Sequence, residues 1–153
     1  MLDQRNSIPR WVSLLYRYGQ IYIGDQLKHT EIGKGQHIFL NALYHEDGLT
    51  QEELSHYLKI DKGTTAKALK RLEALGYVKR KVCNKDKRAN RVFLTDKALA
   101  IKSEMKQVLG NWREALTAGL TEEEQQVAFV ILEKMGANAA DFIKHNMKEG
   151  KSL

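Results

Sequence analysis

Between Asp61 and Thr95 the hydrophobic rhythm changes once, and that change restricts the fold more than any other stretch of the chain. From Asp61, a candidate N-cap, Thr65, Leu69 and Leu72 recur at helical spacing and leave Lys62, Thr64, Lys67, Lys70 and Arg71 outward. Gly76 is placed as a left-handed residue that ends this helix. Valines then alternate with basic residues from Val78 to Val82, and Val92-Phe93-Leu94 makes a second short strand back to Thr95. A helix followed by a hairpin is predicted, and its outer surface is strongly basic.

The charge is confined to this unit. Twelve Lys and Arg stand against three acids from Lys59 to Arg91, a local excess of nine, whereas the whole chain totals +6 and its remainder is therefore −3. A cationic excess lodged in one place suits a polyanion bound at one place. At 153 residues, 42% hydrophobic and with a single Pro, the chain can bury one core of packed helices. One cysteine, Cys83, excludes an intrachain disulfide framework and Cys-rich metal sites, and five scattered histidines lack a close ligand spacing. No cofactor or metal is expected. The amphipathic start does not resemble a signal peptide, and no run approaches a membrane span, so a cytoplasmic protein is expected.

Other segments supply the partners of the basic unit. Ser7 is a cap candidate with Pro9 early in the first helix, which carries Trp11, Leu15, Tyr18 and Tyr22 on one stripe. A second helix holds Ile38, Phe39, Ala42 and Leu43 and ends at His45-Glu46-Asp47-Gly48. Thr50-Gln51-Glu52-Glu53 fits a capping box, with Leu49 placed as a staple against Leu54, and this helix ends near Leu58. Two helices joined by Lys59-Ile60, the second basic outside, are the parts of a helix-turn-helix, and the hairpin makes it winged. From Leu94 to Leu116 a near-heptad stripe predicts one long helix in which Gly110 marks a bend or a close contact. Thr121-Glu122-Glu123-Glu124 is a second capping box before a last helix with Val127, Ile131, Leu132, Met135, Phe142 and Ile143 apolar. The excess apolar surface of the first and last helices points to a two-fold dimer of this chain.

These strings, in this order, resemble the MarR family of winged-helix regulators. Leu49-Thr50-Gln51-Glu52-Glu53-Leu54 is similar to the family's helix before the reading helix, and Ile60 to Glu73 to the reading helix itself. Gly76-Tyr77-Val78 matches the usual exit. Asp86-Lys87-Arg88-Ala89-Asn90-Arg91-Val92-Phe93-Leu94-Thr95 matches the family's Asp-x-Arg wing, with Ala98 standing where many members have Gly. The resemblance covers essentially the whole chain. It implies a mainly α fold with a small β-hairpin wing: a winged helix-turn-helix at 34–96, flanked by dimerisation helices at 1–33 and 97–153.

The implied function is sequence-specific recognition of double-stranded DNA by a ligand-responsive homodimeric repressor, on a pseudo-palindromic operator. Thr64 and Lys67 are placed for base edges, while Lys62, Lys70 and Arg71 suit phosphates. Gly63 and Thr65 belong to the same helix start, and Thr50 and Gln51 add backbone contacts through theirs. Arg88, with Lys87 beside it, is placed for the minor groove, and Asp86 orients it. Trp11, Tyr18, Tyr22, His37 and Trp112 are candidates for a small-molecule effector pocket, although aromatic stripes at helical spacing are usually core. An enzyme finds no phosphate loop, nucleophile elbow or catalytic carboxylate pair here. Two alternatives stand beside the regulator: a winged-helix module for an acidic protein partner, and a thiol-based redox sensor through Cys83, which has no resolving partner in its own chain.

Overall fold

The computed structural model describes residues 7–33, 35–83 and 86–149, with the backbone alone at 83, 86–89, 148 and 149. The described chain divides into two compact units, Met1–Trp112 and Arg113–Leu153. The first unit opens with α1, Ile8–Gln26, where Pro9 occupies a position whose N–H has no helical acceptor. Ser7 adopts the N-cap backbone, but its hydroxyl makes no capping bond among the described residues. A single 3-10 turn, Lys28–Thr30, leads on to α2, His37–His45.

The expected turn after α2 is made by Asp47 and Gly48. Asp47 Oδ1 accepts from the backbone N–H of Gly48 at 3.0 Å and of Leu94 at 2.9 Å, tying the turn to the end of the wing. Gly48 has φ +79°, and a Cβ there would stand 2.9 Å from the Phe93 ring, so both backbone and space require glycine. Leu49–Thr50 then form β1, followed by α3, Gln51–Leu58, and α4, Lys62–Ala74. The wing is β2, Val78–Cys83, and β3, Asp86–Leu94, and the sheet runs β1-β3-β2 with all pairs antiparallel.

Two differences from the sequence reading concern this sheet. β1 is a strand of two residues, too short to show periodicity, and it pairs Leu49 with Val92 and Thr50 with Arg91. β3 has nine residues instead of three, because the part toward the tip pairs through its backbone and carries no alternating apolar face. The β2–β3 register also shifts between Val82 and Cys83.

Under the sheet lies the core. Leu40, Leu54, Leu69, Leu72, Val92 and Met105 are fully buried, and each buried aliphatic contributes about 1.5–3 kcal/mol. Tyr77 joins this core to the 3-10 turn, donating to the Thr30 carbonyl at 2.8 Å.

The predicted long helix after the wing is broken. α5, Asp96–Ala100, stops at Ile101, and α6 runs Lys102–Thr117. The cause lies at Ala98, whose carbonyl accepts the Tyr44 hydroxyl at 2.5 Å and the Ile101 N–H at 3.3 Å, so a side chain from α2 enters the helical ladder. Burial pushes the Tyr44 hydroxyl up to about 12, with Tyr77 adding to the shift, which keeps it a donor. Among the described residues nothing lies within 4 Å of the Cβ direction of Gly110, so none of them requires that glycine. Gly19 is different. A Cβ there would sit 3.3 Å from the Trp112 indole, which α1 approaches closely and Tyr22 stacks upon with ring centroids 6.1 Å apart.

In the second unit the Thr121 capping box is complete: Glu124 N–H donates to Thr121 Oγ1 at 3.1 Å and Thr121 N–H to Glu124 Oε2 at 2.9 Å. It opens α7, Glu122–Glu149, on which Val127, Ile131, Leu132, Phe142 and Ile143 are exposed. No helix among the described residues is long and apolar enough to cross a membrane.

Candidate nucleic-acid interface

The helix-turn-helix is locked by short-range bonds that its sequence encodes almost completely. Thr50 Oγ1 accepts from Glu53 N–H at 3.1 Å while Glu53 Oε2 accepts from Thr50 N–H at 2.8 Å, the reciprocal capping box that starts α3. Lys59 ends α3 in the left-handed region at φ 54°, unusual for a residue with a Cβ, and this sharp exit lets the cap of α4, Asp61, follow two residues later. Asp61 caps α4 by accepting from Thr64 N–H at 2.8 Å and from the Thr64 hydroxyl at 2.7 Å. Those bonds, the hydroxyl first, hold the Asp61 carboxyl below its ordinary 3.8.

Thr65 points the other way. It is fully buried and lies 3.1 Å from Ser55 Oγ, whose own hydrogen is donated to the Ile60 carbonyl at 2.7 Å, so Thr65 is the donor of the pair. This corrects the placement of Thr65 among groups available to DNA: its hydroxyl ties α4 to α3 inside the core. With Ala68, Leu69 and Leu72 it forms the inner face, and Lys62, Gly63, Thr64, Lys67, Lys70 and Arg71 form an exposed outer face. Four cations and one hydroxyl on one side of a helix make a surface suited to phosphates and base edges.

The base of the wing is joined to both helices by Arg80, a residue that hydrophobic spacing could not single out. Its Nε donates to Glu73 Oε2 at 3.0 Å near the end of α4, and its Nη1 donates to Gln51 Oε1 at 3.1 Å at the start of α3. The amide oxygen of Gln51 is thereby occupied, leaving its NH2 as the group for an anion. On β3, Arg91 donates to the Gly48 carbonyl at 2.8 Å and lies 3.9 Å from Glu53. Lys79 and Lys81 extend the cationic surface onto β2. The side chains of Cys83, Asp86, Lys87 and Arg88 lie outside the described residues.

A cleft of about 670 Å³ opens beside this surface. His37, Ile38, Phe39 and Trp112 line it together with Leu15 and Ile23 from α1, and Thr64 and Lys67 of α4 are at its edge. Of the five aromatic and histidine candidates it gathers only His37 and Trp112. Trp11 and Tyr18 are exposed on α1 away from the lining, and Tyr22 is the stacking partner of Trp112. Among the described residues no cluster of His, Cys, Asp or Glu could hold a metal ion.

The MarR family model matches residues 30–89, from the 3-10 turn into the wing. A MarR transcriptional regulator from Methanosarcina mazei Go1 is 45% identical, with a TM-score of 0.76 over 88% of this chain and 97% of that one. A MarR-family regulator from Listeria monocytogenes, solved in complex with 26mer DNA, is 26% identical with a TM-score of 0.86, covering 94% of this chain and 95% of that one. The HTH-type transcriptional regulator YybA of Bacillus subtilis (strain 168) is 25% identical over 133 residues, 87% of this chain and 89% of that one.

Proposed function

The chain belongs to the MarR family of transcriptional regulators, and on that premise we propose that it is a cytoplasmic homodimeric repressor that binds a pseudo-palindromic duplex and releases it on binding a small molecule. One observation carries the DNA-reading part: Lys62, Thr64, Lys67, Lys70 and Arg71 stand exposed together on α4 over a buried Thr65-Ala68-Leu69-Leu72 face. The Listeria relative's complex with DNA supports the same reading. Thr64 and Lys67 face base edges in the major groove, whereas Lys62, Lys70 and Arg71, with the α3 start at Thr50 and Gln51, hold phosphates. Lys87 and Arg88 are assigned to the minor groove, with Asp86 orienting Arg88, on the sequence match alone.

The dimer is supported by exposed Ile8, Trp11, Val12, Leu15 and Tyr18 on α1 and by the exposed apolar residues of α7. Two reading helices would then meet successive major grooves roughly 34 Å apart. The cleft beside α4 supports the response to a ligand. Its indole and phenyl walls suit an aromatic body and Lys67 suits an acid, so a small aromatic acid bound there more tightly in the released geometry would shift the dimer away from DNA.

Fluorescence anisotropy on a duplex from upstream of the protein's own gene tests the assignment. Affinity should fall with salt, and Lys70→Gln or Arg71→Gln should each reduce the magnitude of the log-affinity versus log-salt slope by about 1.8, that is about 0.9 for each of the two phosphate contacts a dimer loses. A slope unchanged in both variants overturns the phosphate assignment.

A further inference from the structure

The start of α4 has a fixed hydrogen-bonding sense before any duplex arrives. Asp61 accepts twice from one residue, from the Thr64 N–H at Oδ1 and from the Thr64 hydroxyl at Oδ2, at 2.8 and 2.7 Å. A carboxylate has no hydrogen to give, and this one is fully exposed with its pKa depressed, so it stays ionised at neutral pH. The hydroxyl hydrogen of Thr64 is therefore committed to Asp61. What Thr64 still offers is the remaining acceptor capacity of Oγ1 and a methyl group.

That limitation has meaning at a base edge. In the major groove guanine presents only acceptors, O6 and N7, while adenine N6 and cytosine N4 are donors and thymine adds a methyl. Thr64 and Asp61 are both exposed and occupy the N-terminal end of α4, the end that a reading helix presents to the bases. We propose that Asp61 and Thr64 form an acceptor-only reading element that selects an exocyclic amino group, cytosine N4 or adenine N6, and rejects guanine at the base it faces. The inference rests on the DNA-reading role given to α4 above. Lys67, which can only donate, has the opposite sense and suits guanine, so one helix carries two polarities.

Asp61→Asn makes the idea testable, because Asn caps a helix about as well as Asp. Its amide oxygen can still accept from the Thr64 N–H, while its NH2 donates to Thr64 Oγ1 and frees the hydroxyl hydrogen to point outward. The full-length protein is used to select duplexes from a randomised pool. Each half-site position of the recovered duplex is then varied through four bases and measured by anisotropy, with thermal unfolding as the control for folding. The wild type should prefer adenine or cytosine at one position of each half-site by roughly tenfold. Asp61→Asn should move that preference to guanine or thymine, and Thr64→Val, which keeps the shape without the oxygen, should erase it there and nowhere else. Combining the two should show no shift beyond Thr64→Val alone. Guanine preferred by the wild type at the Thr64-dependent position, or an unmoved preference in Asp61→Asn, overturns the inference while leaving DNA binding intact. Recovery of no enriched duplex at all overturns the reading role of α4 and the inference with it.

Discussion

His37 begins α2 with only 8% of its surface exposed, and desolvation lowers its pKa from 6.5 because the charged ring would lose water without gaining a partner. The unfolded chain then binds more protons than the folded one just below pH 6.5, so stability rises with pH in that window and is lost as pH falls through it. Urea unfolding between about pH 5 and about pH 8 should show this decline, and His37→Gln should flatten it. An equal decline in the variant would assign the protons to another group. A histidine can be placed on a helix by its spacing, but the cleft that His37 lines is completed by Trp112 and α1, which arrive from distant parts of the chain. Thr64 is the opposite case. Its cap partner Asp61 is three residues away, so the whole acceptor arrangement was present in the string Asp61-Lys62-Gly63-Thr64 for anyone asking where the hydroxyl hydrogen goes.

Among elements, α3 and α4 were the most legible because their ends are written in local chemistry: the Thr50 capping box, the Asp61 cap and Gly76 at φ +83°. Their inner contact was less so. Thr65 falls in the core-facing rhythm with Leu69 and Leu72, but no spacing shows that its hydroxyl donates to Ser55 and so ties the two helices together. Thr65→Val should lower stability by about 1 kcal/mol, leaving a buried acceptor partly unmet. The melting temperature should fall by about 2–4 °C. The salt slope of DNA binding should stay at its wild-type value, since no phosphate contact is lost; a slope reduced as in Lys70→Gln would return Thr65 to the interface. The break between α5 and α6 was hidden for a related reason. Spacing from Leu94 to Leu116 keeps an apolar stripe, and only the Tyr44 hydroxyl, donated from α2 to the Ala98 carbonyl, interrupts the ladder.

For the molecule as a whole, the exposed apolar residues of α1 and of α7 set a definite expectation in solution. Light scattering at micromolar concentration should give twice the 17.5 kDa chain mass, and replacing Trp11 and Leu15 together by Asp should yield monomers that bind a full operator more weakly than wild type. A monomeric wild type would remove the two-fold part of the proposal. Arg80 acts at the same scale, since one guanidinium joins the wing, α3 and α4, and no periodicity signals a residue whose partners lie 7 and 29 positions away. By itself the sequence determined the ends of α3 and α4, the basic unit and the winged order of elements, because caps, turns and alternation act over a few residues. Tertiary structure alone decided which partners the buried hydroxyls meet, where α5 stops, how Arg80 is divided between Glu73 and Gln51, and which aromatic side chains line the cleft. Each of those depends on a donor, an acceptor or a surface brought from elsewhere in the chain, and such meetings leave no periodic trace in the residues that take part.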